Sequence, residues 1–165
     1  MYQIGALVIY GTNGVCRVED LREESFTGEA RPYYILRPTA DTGNSKIFVP
    51  ADNEVLLATM HEPLSAEALA EVIRETPAMT ETEWQGDGRA RSKRCKEILS
   101  SGDRTHLISL IKTVKQSGRT PTAAEDAACL RAAAMLYEEF SLVFDLTPAD
   151  MIPTILGETE PKRKE

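Results

Sequence analysis

Within eight positions the chain carries five basic side chains: Arg89, Arg91, Lys93, Arg94 and Lys96. Its only tryptophan, Trp84, stands just ahead of them in "TEWQGDGRARSKRCKEI". Closely spaced guanidinium and ammonium groups suit a polyanion, because each can meet a phosphate whatever the base sequence. An apolar ring beside such a grip is what a minor-groove wedge requires. Two plainer readings use the same residues: the charges form a solubilising helix face, and the ring packs back onto a core. Lys112, Lys115 and Arg119 lie further along and extend the basic set.

Other chemistry is poorly represented. His61 and His106 have no cysteine or carboxylate at metal-ligand spacing, so no metal site is expected. There is no GxSxG, P-loop or dinucleotide fingerprint, and "GDG" at 86–88 is too short to cradle a phosphate. Asp52 and Glu54, flanking Asn53, read as a solvated loop. The expectation is a protein that is not an enzyme, with no cofactor and no small-molecule substrate.

The net charge of −7 is unevenly spread. Residues 1–60 carry net −3, 61–83 net −5, 84–120 net +6 and 121–165 net −5. The basic segment is thus flanked by acidic ones that repel phosphate over a Debye length of about 8 Å. This pattern allows a polyanion partner while weakening non-specific binding. Cys16, Cys95 and Cys129 are odd in number and far apart, which favours apolar filling in a reducing cytoplasm over a disulfide framework. A hydrophobic content of 42% is enough for a core. No apolar run reaches the roughly 18 residues of a membrane span, and "MYQIGALVIYGTNG" lacks the features of a signal peptide.

Two kinds of element position these residues. Over 1–60 the pattern is strand-like: "ALVIY", "VCRVEDL", "RPYYILRPT" and "KIFVP", separated by "GTNG" and "DTGNS". Short strands and tight turns predict a small antiparallel barrel of SH3 or Tudor type. Phe26, Tyr34 and Phe48 are either its core or aromatics on an edge that accepts a partner strand. From 61 to 157 the period is helical, predicting an all-α domain of about five helices, so the fold class is α+β. Ser65, Asp87, Asp103 and Thr122 are the expected caps, with Thr122 and Glu125 forming a capping box. Thr147 followed by Pro148 opens a last helix. Gly102 and Gly118 are the expected stops of two helices. The helix starting near Thr122 is expected to run to Phe144 and to bury Leu130, Ala133, Ala134, Tyr137, Phe140 and Phe144. Residues 158–165 read as a frayed polar tail.

The order of motifs resembles the CarD/CdnL family of bacterial transcription regulators. It comprises Gly5, Val8 to Tyr10, Gly14-Val15, Gly28-Glu29 with Tyr34 to Leu36, and Val49-Pro50 with Asn53. The barrel so outlined also resembles the RNA-polymerase-interacting domain of transcription-repair coupling factors. "RSKRCKEILSSGD" followed by "LISLIKTV" resembles the family's basic helix, Ser-Gly-Asp turn and next helix, and the likeness spans roughly residues 2–155. The resemblance implies that the barrel binds the β subunit of RNA polymerase through Glu24, Ser25, Phe26 and Thr27 with Ile47, Phe48 and Val49. It further implies that Trp84, Arg89, Arg91, Lys93 and Arg94 meet promoter DNA near the −10 element, modulating open-complex stability in the nucleoid. Three departures stand out: "QGDG" lengthens the spacing from Trp84 to the Ser-Gly-Asp turn, Glu24 falls where a basic residue is common, and residues 62–83 are acidic. An adaptor that binds polymerase or another protein without touching DNA is the alternative.

Overall fold

The computed structural model describes residues 1–165, which divide into two compact units, Met1–Pro63 and Leu64–Glu165. The first unit contains β1 (Leu7–Tyr10), β2 (Val15–Glu24), β3 (Arg31–Pro38), β4 (Ile47–Pro50), the single-turn helix α1 (Glu54–Leu57) and β5 (Met60–His61). All pairings are antiparallel, in the order β4-β3-β2-β1-β5. The turn from β1 to β2 depends on Gly14, at φ 71° and ψ −147°, a region essentially closed to residues with a Cβ. A bulge in β2 between Val18 and Asp20 bends the long strand and increases its twist. Only residues 51–59 connect edge strand β4 to the opposite edge strand β5. So short a connection requires the sheet to curl, which produces the barrel-like form.

Alternation then sorts the side chains. Val8, Cys16, Val18, Tyr34, Leu36, Val49 and Met60 form the barrel core. Tyr2 ties the N-terminal segment to it: its hydroxyl donates to the Met60 carbonyl at 3.0 Å, and its backbone N–H donates to the Tyr34 hydroxyl at 3.1 Å. Asn53 caps α1 by accepting from the Val55 and Leu56 amides.

The second unit comprises α2 (Ala66–Glu75), α3 (Gly88–Ser101), α4 (Arg104–Gln116), α5 (Ala123–Phe140), β6 (Phe144–Asp145), α6 (Met151–Ile155) and β7 (Lys162–Arg163). Ser65, Asp87, Asp103 and Thr122 accept from the amides of Ala68, Ala90, His106 and Glu125, as their spacing predicts. Gly102 ends α3 in the left-handed conformation. Helix α4 is the centre of the unit, burying Leu107, Ile108, Leu110, Ile111, Thr113 and Val114. No helix is long and apolar enough to cross a membrane.

Four sequence expectations are corrected here. The buried stripe of α5 is Ala128, Cys129, Ala132, Ala133, Leu136 and Phe140, while Leu130 is 66% exposed and Ala134 also faces solvent. The helix ends at Phe140, so buried Phe144 belongs to β6 instead. The Thr122 cap lacks its reciprocal half, because the Glu125 carboxylate is engaged by Arg91. The tail is not frayed: β7 pairs with β6, Lys164 N–H donates to the Val143 carbonyl at 2.9 Å, and Arg163 pairs with Glu67 on α2.

Glu139 gathers three donors, the Arg104 Nε at 2.7 Å, its Nη2 at 2.5 Å and the Leu64 N–H at 3.0 Å. The carboxylate is buried and the guanidinium largely so. Removing one partner strands the others in a poorly solvated place. Glu139→Ala is therefore expected to lower unfolding free energy by about 3 kcal/mol in urea denaturation. A loss under about 1 kcal/mol would place this pair among ordinary surface bridges.

Candidate functional site

The segments 24–27 and 47–49 come together through Phe26 and Phe48, whose ring centroids are 5.0 Å apart. Along β3 the alternation turns Tyr34 and Leu36 into the core and Tyr33 and Ile35 the other way. Ile35 pairs with Phe48 in register, so Phe48 shares the outer face. Phe26, in the segment leaving β2, completes a three-ring cluster. Its ring centroid lies 5.2 Å from Tyr33 and 5.0 Å from Phe48, both edge-to-face, and yet it remains 59% exposed. Edge-to-face contacts hold the ring in place without covering it. Beside it β4 has a partner on one side only, leaving one row of backbone groups able to accept a further strand.

The remaining residues of this set contribute unequally. Ser25 and Thr27 are exposed, and Ile47 is half-buried. Val49 is wholly buried in the barrel core, so only its backbone is available to a partner. The Glu24 carboxylate accepts from Arg22 Nε at 2.7 Å, and next to it Arg31 pairs with Asp52. Acidic side chains outnumber basic ones here, Arg22 being shared by Asp20 and Glu24.

In the helical unit the basic residues of α3 divide between two faces, as helical spacing predicts for Arg91 on one side and Arg89, Lys93 and Lys96 on the other. Arg89, Lys93 and Lys96 are exposed on α3 at i, i+4 and i+7 and have no ion-pair partner. Arg94 reaches Glu97 at 3.5 Å in an exposed pair, which binds it weakly. Arg91 turns inward: its Nε donates to Glu125 at 2.8 Å and its Nη1 to the Gly86 carbonyl at 2.8 Å, leaving the side chain 13% exposed. Lys112 donates to the carbonyls of Ile73 and Thr76 at the end of α2, and burial lowers its ammonium below the ordinary lysine value. Both are engaged in holding the unit together. Lys115 lies 3.3 Å from Asp126, and Arg119 is exposed and unpaired.

Trp84 is 8% exposed and belongs to the helical core, so the exposed-wedge reading is corrected. The chain is turned inward by a local device. Thr80 Oγ1 accepts from the Glu83 amide at 3.2 Å, the Glu83 carboxylate accepts from the Thr80 amide at 2.7 Å, and Trp84 N–H donates to the Thr80 carbonyl at 2.9 Å. This is the reciprocal pattern of a capping box, legible in "TETE" but missed there. Gly86 follows at φ 97°, where a Cβ would lie 2.6 Å from that of Ala90. Only glycine lets the chain pass so close to α3.

The position of the free charges is informative. The first turn of α3 has no acidic residue, and its last turn has no basic one. Cations near a helix N-terminus oppose the macrodipole, so Arg89 adds nothing to helix stability there. Cys95 and Cys129 are buried, and burial pushes the Cys129 thiol up to about 12 and raises that of Cys95, which makes both poor nucleophiles. No group of three or more histidine, cysteine or acidic residues could hold a metal ion.

Residues 2–60 match the family of the CarD-like/TRCF RID domain. The match spans almost the whole barrel and stops short of the helical unit. The barrel is accordingly an RNA-polymerase-interacting type of domain, and the protein is transcription-related. No curated protein matches the chain.

The burial of Trp84 has an optical consequence. As the only indole in the chain, it is expected to emit at blue-shifted wavelength and to resist acrylamide quenching until the protein unfolds. Emission like that of free tryptophan in the native state would contradict its place in the core.

Proposed function

We propose that this protein binds the β subunit of RNA polymerase through its barrel and contacts promoter DNA near the −10 element through α3, thereby modulating the stability of the open complex. It acts by binding and not as an enzyme, in the cytoplasm with the nucleoid. The single observation that carries the reading is the exposed Phe26 beside the unpaired edge of β4, on a domain that matches the RID family. An aromatic anchor beside a free strand edge supplies both needs of strand addition: backbone hydrogen bonds for affinity and a side-chain contact for specificity.

Support for DNA contact comes from Arg89, Lys93 and Lys96, with Arg94 beside them. They lie on an exposed face and have no strong competing partner. Trp84, Arg91 and Lys112 have structural roles in this conformation and leave the contact set. The second reading, an adaptor that meets another protein without touching DNA, is favoured by the burial of Trp84 and by the net charge of −7.

Two experiments separate these readings. Phe26→Ala, which removes a ring that is 59% exposed and lies outside the barrel core cluster, is expected to weaken capture of the β subunit about tenfold. Unchanged capture would remove Phe26 from the interface. The combined Arg89/Lys93/Lys96→Ala variant is expected to keep polymerase binding and to weaken the ternary complex with promoter DNA. The salt dependence should fall by close to three phosphate contacts, a change in log–log slope of about 2.7. An unaltered slope and open-complex lifetime would favour the adaptor.

A further inference from the structure

The free edge of β4 has a chemistry of its own. The Ala51 N–H donates to the Pro32 carbonyl at 2.9 Å, one step beyond the Pro50–Tyr33 pair. Bonded and non-bonded pairs alternate along an antiparallel ladder. Val49 and Ile47 therefore turn their backbone groups toward β3, and Phe48 and Pro50 turn theirs outward. Pro50 has no N–H to give. The outward row of β4 consists of the Phe48 N–H and the carbonyls of Phe48 and Pro50, so acceptors outnumber donors.

The side chains at the Pro50 end lean the same way. Cross-strand pairing sets Asp20 beside Ile35, Arg22 beside Tyr33 and Glu24 beside Arg31 on the outer face. Arg22 is shared by Asp20, at 3.4 Å, and Glu24, at 2.7 Å. Arg31 is held above its ordinary value chiefly by its bond to Asp52, with Glu29 acting on it as well. Two guanidiniums thus serve four carboxylates. Glu23 and Glu54, close by in the chain, are exposed and form no ion pair. At the Ile47 end the balance reverses, because Glu19 is shared by Arg37 and Lys46.

We propose that the polymerase strand received by this edge carries lysine or arginine side chains where it passes Pro50 and Asp52, next to an apolar residue that meets Phe26 and Phe48. This partner chemistry rests on the proposal that polymerase binds the barrel, and adds to it the kind of strand that fits. A basic strand brings opposite charge to the four carboxylates, and its backbone N–H groups reach the Phe48 and Pro50 carbonyls. The same features turn other occupants away. Nucleic acid would bring phosphates to an acidic rim. A second copy paired symmetrically about Phe48 would set each Lys46 carbonyl against a Pro50 that cannot donate, so its ladder would fail at both ends.

The test measures association of the full-length protein with purified RNA polymerase core enzyme by biolayer interferometry over a range of salt. Opposite charges across an interface act chiefly on the association rate, which is expected to fall about tenfold between about 50 and 300 mM salt. The double variant Glu24→Lys/Asp52→Lys is expected to associate about tenfold more slowly at low salt and to lose that salt dependence. Glu29→Lys, an exposed substitution between β2 and β3 that removes no hydrogen bond, is expected to slow association about threefold. It keeps the test decisive if the double variant disturbs the fold. If Phe26→Ala weakens binding while neither reversal alters the rate or its salt dependence, the barrel still binds polymerase and the basic strand is refuted. If Phe26→Ala is equally without effect, polymerase does not use this edge and both proposals fall. Faster association of Glu29→Lys would show an acidic partner and overturn the basic strand. Sedimentation of the free protein as a dimer that Phe26→Ala dissociates would put a second copy on the edge and overturn it too.

Discussion

The burial of α4 on most of its circumference is the constraint on which the helical unit depends. Leu107, Ile108, Leu110, Ile111 and Val114 together occupy more than one helix face, and a helix apolar on several sides must be surrounded. Helix α5 covers it with small residues, Ala128, Ala132 and Ala133, and with Phe140. Helix α3 adds Cys95 and Ile98, and α2 adds Leu69. Met151 and Ile155 of α6, together with Trp84, belong to the same cluster. The ring is drawn in because an indole buries more apolar area than any other side chain near it. The same demand explains the inward turn of Arg91, whose charge can be buried only because Glu125 meets it.

Once the inner face of α3 is committed, its remaining charges have to face outward. The helix is left with a face on which Arg89, Lys93 and Lys96 are exposed and form no ion pair. The barrel shows a parallel division of labour. Its inner positions are filled by Val8, Val18, Leu36 and Val49, while Phe26 and Phe48 form an aromatic patch outside that core. In both units the residues available to a partner are those that the core does not need.

What could be read from the sequence follows how far each determinant reaches along the chain. The caps at Ser65, Asp87 and Asp103 are contacts across three residues, so their spacing is visible. The strand run from Ala6 to Pro50 is marked by its turns, and the barrel motifs also point to the family that residues 2–60 match. The residues that enclose Trp84 and Arg91 are not legible, because they come from helices distant in sequence, as Glu125 does for Arg91. Lys112 likewise looks like a free cation until α2 presents its terminal carbonyls. In α5 the many alanines weaken the amphipathic signal, so the expected stripe mixes exposed Leu130 and Ala134 with buried Ala133 and Phe140. The order of the tail is hidden in the sequence because a two-residue strand has no periodicity of its own; its pairing with Phe144 and Asp145 is a tertiary fact.

The central claim is that polymerase adds to the free edge of β4 beside Phe26. Hydrogen exchange at the backbone amides of residues 47–50, compared with and without RNA polymerase, tests it most directly. The account predicts slowed exchange there and in the segment around Phe26 when the complex forms. A complex that forms with exchange at 47–50 unchanged would place the contact elsewhere and contradict it.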